Sequence, residues 1–167
     1  MKYSLEDYEQ QYGVLKAPFA LRLIIWYLLK HYLLAFIQLI ALLPKIKRSM
    51  GETMLIFEKF AYSHSTFLFV LSCIPVLLVF ISLFKRAPQT KSPFLRNVWR
   101  YGQILLVITT GLEIVLITGY VLLQLRELTE FWLIIAYIDI VILIYLFRSE
   151  RVKDVFAEFP DFEAEEK

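Results

Sequence analysis

From Gln103 to Leu125 the chain runs for 23 residues, QILLVITTGLEIVLITGYVLLQL, with one charged side chain, Glu113, near the middle. A helix of that length rises far enough to cross a hydrocarbon core of roughly 30 Å, and it is too apolar all round for the surface of a soluble protein. The carboxylate is the informative exception. An ionisable group near mid-bilayer costs at least about 2.5 kcal/mol on insertion scales, so it is expected to face a partner or a cavity. At 100° per residue Gly102, Leu106, Thr109, Glu113, Tyr120 and Gln124 fall on one stripe, with Gly111, Thr118 and Gly119 on the far side. The stripe predicts a face buried against protein.

Three further apolar stretches predict an all-α integral membrane protein of four transmembrane helices in an antiparallel bundle. The expected spans are 19–43, 67–84, 103–125 and 131–147, together forming a membrane domain over 19–147. With 59% hydrophobic residues over 167 positions, the soluble class is a poor fit. Pro44 stops the first span. Pro75 lies at the centre of the second, where a kink is expected and Ser72 could satisfy a freed carbonyl.

Short interfacial helices are expected outside the spans. In the N-terminal segment 1–18, Ser4 and Asp7 have capping-box spacing for a helix running through Tyr12 and closed by Gly13. In the first loop, Met50, Met54, Phe57 and Ala61 share a helical face that suits the plane of the membrane. In the tail 148–167, Val152, Phe156 and Phe159 have helical spacing before Pro160 and an acidic end. A short connection at 126–130 makes the third and fourth spans neighbours. No cleavable signal peptide precedes Phe19.

Charge sets the orientation. Both termini and the 85–100 loop share one side and carry 12 Lys and Arg; the opposite side carries five, with Lys30 inside a span. The positive-inside rule then places both termini in the cytoplasm. Lys85, Arg86, Lys91, Arg96 and Arg100 have no acid among them in that loop and are candidate contacts for lipid head groups, anionic ones included.

In this topology Lys30, Glu113 and Asp139 lie at one level, roughly 12 to 17 Å deep. His31, Tyr27 and Gln38 adjoin Lys30 on the first helix. The simplest reading of Lys30, His31, Glu113 and Asp139 is a buried charge cluster that holds the bundle in register. The alternative starts from one cation facing two carboxylates, so that one acid would hold a proton. That arrangement suits a proton-coupled transporter, or a site for a lipid or cationic ligand.

Other chemistry is weakly signalled. Cys73 is the sole cysteine and reads as a small core residue. His64, in SHST, reads as a loop or interfacial histidine. No glycine-rich phosphate loop, paired-cysteine zinc pattern or HExxH is present, so no metal, cofactor or catalytic residue is assigned and an enzyme is not expected. Nucleic acid is not an expected partner; a second copy of the chain or a larger membrane protein is.

The stretches LEDYEQQYGVLKAPFALRLIIWYLLKHYLL and YLFRSERVKDVFAEFP resemble the YfeZ-like family of small gammaproteobacterial inner-membrane proteins of unknown function. That resemblance implies a multi-pass protein of the bacterial inner membrane and transfers no catalytic residue. Small multidrug-resistance transporters are similar in span number, but they carry their membrane glutamate in the first helix, where this chain has Lys30.

Overall fold

The computed structural model describes residues 3–9, 13–41, 67–87, 90–125 and 129–160. These form helices and connections, with no strand among them and one isolated bridge, Tyr8 to Leu15. In chain order the helices are α1 (Phe19–Leu28), α2 (Lys30–Ala41), α3 (Phe67–Ser72), α4 (Ile74–Phe84), α5 (Pro93–Arg100), α6 (Gly102–Leu122), α7 (Glu130–Arg148) and α8 (Glu150–Ala157). The expected interfacial helix of the first loop, with Met50, Met54, Phe57 and Ala61, lies outside the described residues, as do His64, residues 126–128 and the acidic end.

α6 is the axis. It packs against α1, α3, α4, α5, α7 and α8, and buries Gly102, Leu106, Thr109, Thr110, Glu113 and Ile117. Its outward face is apolar, with Ile104, Ile108, Leu112, Val115 and Leu122 exposed. α7 is built the same way. It buries Trp132, Ile135, Asp139, Ile142 and Leu146 at helical spacing and turns Leu133, Ile134, Ile140 and Ile144 outward. Both helices are long and apolar enough to cross a membrane, and α1 with α2 makes a third if the bent pair is one span.

That pair bends by 43° at Leu29, with no proline or glycine to explain it. The cause is a donor from another element. The Tyr32 N–H bonds to the Leu29 carbonyl at 3.0 Å, one residue short of regular helix, and the Leu28 carbonyl instead accepts from Cys73 Sγ at 3.2 Å. A side chain entering the hydrogen-bond ladder is an established source of helix kinks. Cys73 itself sits at the break between α3 and α4. There Pro75 has no N–H to give and its ring excludes a regular turn, while the Cys73 N–H bonds back to Val70 and Ser72 Oγ donates to the Phe69 carbonyl at 2.8 Å. The two breaks thus meet face to face.

The N-terminus departs from the expected helix. Ser4 does donate to Asp7, from its N–H to Asp7 Oδ2 at 3.1 Å and from its Oγ to the same oxygen at 2.9 Å. Yet only a 3-10 turn, Leu5–Asp7, follows. The chain then reverses: the Glu9 N–H bonds to the Val14 carbonyl and the Lys16 N–H to that of Asp7, both at 2.8 Å. Gly13, at φ +65°, takes the left-handed conformation inside this reversal, a role open to glycine at little cost.

Candidate functional site

A charged centre lies where the two broken helices face α6. Lys30 and His31, the first residues of α2, both reach Glu113. Lys30 Nζ stands 2.5 Å from Glu113 Oε1, and His31 Nε2 stands 3.0 Å from the same oxygen. His31 and Glu113 are each 1% exposed, so this is an interior contact. The Lys30 ammonium also lies 3.8 Å from the centroid of the Tyr27 ring, a favourable cation–π arrangement.

Asp139, from α7, is fully buried nearby and interacts electrostatically with Glu113, Lys30 and Tyr27. It is bonded differently from Glu113. Neither Asp139 oxygen, nor the Tyr27 hydroxyl, has an aligned hydrogen-bond partner among the described residues. Glu113 Oε2 and His31 Nδ1 are also without one. The centre therefore holds one acid paired with Lys30 and His31, the Lys30 ammonium making an ion pair without an aligned hydrogen bond, and a second acid whose oxygens have no aligned hydrogen bond. Gln38 stands further along α2, with its Nε2 likewise unpaired among the described residues.

An aromatic layer closes one side of the centre. Phe69 of α3, wholly buried, stacks on His31 at 4.8 Å, on Tyr120 at 5.7 Å and on Trp132 at 5.6 Å. Such stacks fix ring orientation as well as burying area. The His31 ring is held between Phe69 and Glu113.

The candidate head-group residues divide into two sets. Lys85, Lys91 and Arg100 are exposed, whereas Arg86 is 6% exposed and faces inward. Arg86 donates from Nη1 to the Leu15 carbonyl at 2.8 Å and from Nη2 to the Glu158 carbonyl at 3.1 Å, with its guanidinium over the Trp99 ring. Burial holds this guanidinium below the ordinary arginine range, with Glu9 and Glu158 opposing. Arg96 bonds to the Thr90 and Pro160 carbonyls. Two of the five basic residues therefore build the fold.

Around Arg86 the two ends of the chain are tied together. Trp99 Nε1 donates to the carbonyls of Val155 and Glu158, both at 3.0 Å, and the Leu15 N–H bonds to Glu158 Oε2 at 2.8 Å. The Tyr3 hydroxyl donates to Asp154 at 2.6 Å, and Arg151 pairs with Asp7 at 2.6 Å. Bonds from Ser4, then from Arg151, hold the Asp7 carboxyl below its ordinary value of 3.8. Ser149 caps α8 by accepting from the Val152 N–H. Gly102 is required here, because a β-carbon would run into the ring of Phe156, which is itself packed on Trp99. Neither this latch nor the Cys73 bond was marked in the sequence: Trp99 and Cys73 look like ordinary apolar residues, and their donors became meaningful only beside particular carbonyls.

A family model described as Protein of unknown function (DUF2919) matches residues 3–158. The chain belongs to this family. The DUF2919 match takes in α1 to α8, and with them both the charged centre and the terminal latch. No curated protein and no solved structure matches the chain.

Proposed function

We propose that this DUF2919 protein is a non-enzymatic, multi-pass protein of the bacterial inner membrane, an accessory or interaction subunit whose buried Lys30, His31, Glu113 and Asp139 hold four spans in register. In this reading α1 with α2 and α3 with α4 are broken spans, α6 and α7 are continuous ones, and both termini are cytoplasmic. The observation that carries the reading is the clasp of Lys30 and His31 on one Glu113 oxygen, which joins the first span to the third at the level of both breaks. The outward faces of α6 and α7 support the membrane setting: only 28% of each apolar window is buried, and so extended an apolar surface would drive aggregation in water. The YfeZ-like terminal motifs support the inner membrane.

A second reading has its own observation. Broken helices meeting beside ionisable groups are the way many transporters build a site at mid-membrane. The Leu29 and Cys73 breaks meet beside Glu113, and neither Asp139 oxygen has an aligned hydrogen bond among the described residues. A small proton-coupled transporter, or a protein binding a lipid or cationic ligand, would use Asp139 as the group that takes up and releases a proton.

Two measurements separate them. Lys30→Met should destabilise the detergent-solubilised protein by about 3 to 5 kcal/mol, because a buried carboxylate loses its cation. Adding Glu113→Gln should restore most of that loss, since the amide still accepts from His31. A single variant as stable as the wild type would contradict the register role. In proteoliposomes under a pH gradient, the subunit reading predicts no proton flux above that of empty vesicles; a flux abolished by Asp139→Asn would establish the transport reading.

A further inference from the structure

A cavity of about 350 Å³ opens between α1 and the end of α4, lined among others by Glu9, Arg22, Trp26, Phe80, Phe84 and Arg86. That volume lies within the range of about 300–1,000 Å³ usual for small-ligand sites. Its wall is divided by chemistry. Glu9, Arg22 and Arg86 make a charged end, while Trp26, Phe80 and Phe84 form an edge-to-face aromatic run with centroids 5.3 and 4.7 Å apart. Trp26 and Phe84 are exposed to the outside.

The charged end has unused bonding capacity. Arg86 is buried, yet its Nε has no hydrogen-bond partner among the described residues, its other two nitrogens being taken by Leu15 and Glu158. Arg22 and Glu9 form no side-chain bond among the described residues. Charges of both signs line the cavity, Arg22 and Arg86 with the carboxylate of Glu9, while Glu158 acts on Arg86 from outside the lining. A ligand carrying both signs can meet both, an anionic group at the two guanidiniums and a cationic one at Glu9.

We propose that this cavity binds the head group of a zwitterionic aminophospholipid. The phosphate accepts from Arg22 and from Nε of Arg86, the primary ammonium donates to Glu9, and the acyl chains leave past Trp26, Phe80 and Phe84 into the bilayer. Glu9 selects a primary ammonium because a quaternary choline has no N–H to donate and an uncharged glycerol head group leaves the carboxylate without a counter-charge. Aromatic rings at the mouth suit the level where head groups meet hydrocarbon.

This inference rests on the membrane reading, and the experiment separates the two. Membranes holding the full-length protein are first washed at alkaline pH; release of the protein would overturn the membrane setting, whereas retention leaves the cavity as the question. The purified protein is then offered phosphatidylethanolamine, phosphatidylcholine and phosphatidylglycerol of matched acyl chains, and bound lipid is counted by native mass spectrometry. Phosphatidylethanolamine should be held at least about tenfold more tightly than either of the others, the factor carried by one charge-assisted hydrogen bond. Glu9→Gln should abolish its advantage over phosphatidylglycerol, and Arg22→Gln should weaken all three. Equal retention of the three lipids by the wild type, a preference for phosphatidylglycerol, or an unchanged preference in Glu9→Gln would overturn the proposal. The lipid-side comparison holds even where a variant fails to fold.

Discussion

Glu113 and Asp139 are two neighbouring buried carboxyls with different bonding, and their difference predicts different responses to the same chemistry. Glu113 receives Lys30 and His31 on one oxygen, so replacing it with alanine strands a buried ammonium and should cost about 3 to 5 kcal/mol. Asp139 has no aligned partner among the described residues, and Asp139→Asn keeps its shape and an acceptor towards Tyr27. Its thermal unfolding in detergent should match the wild type within about 0.5 kcal/mol. A loss comparable to that of the Glu113 variant would show that Asp139 shares the Lys30 charge. Helical rise placed Lys30, Glu113 and Asp139 at one level, but the choice of acid depends on the direction each side chain takes around its helix.

At the scale of elements, two of the expected spans were legible as long apolar helices, with α1 and α2 a third if the bent pair is one span, because hydropathy and length report whether a helix can bury or expose its whole surface. α6 and α7 match these two closely. The breaks were legible only in part. Pro75 marked the second stretch in advance, since a missing N–H is a property of the residue itself. Leu29 did not mark the first, because that bend depends on Cys73, 44 positions further along, donating to the Leu28 carbonyl. The Ser4–Asp7 pair misled for a related reason: a cap can start a turn, but tertiary bonds from Leu15 and Lys16 decide whether a helix follows. Cys73→Ala should leave the Leu28 carbonyl unpaired and lower stability by about 0.5 to 1 kcal/mol, while Cys73→Ser, which keeps a donor, should not. Equal melting of the two variants would show that the thiol does not hold the bend.

At the scale of the molecule, the latch brings Tyr3, Asp7 and Leu15 of the N-terminus, Arg86 and Trp99 of the central loop, and Asp154 and Glu158 of the tail to one end. The proposed four-span reading requires this arrangement. The four-span reading also needs residues 44–66 on the opposite side of the membrane from that end, and the excess of Lys and Arg argues that the latch is cytoplasmic. The most direct measurement fuses a reporter active only in the periplasm after Ser49, after Gln89 and at Lys167. Activity after Ser49 alone is the predicted pattern; activity after Gln89 or at Lys167, with silence after Ser49, would contradict it.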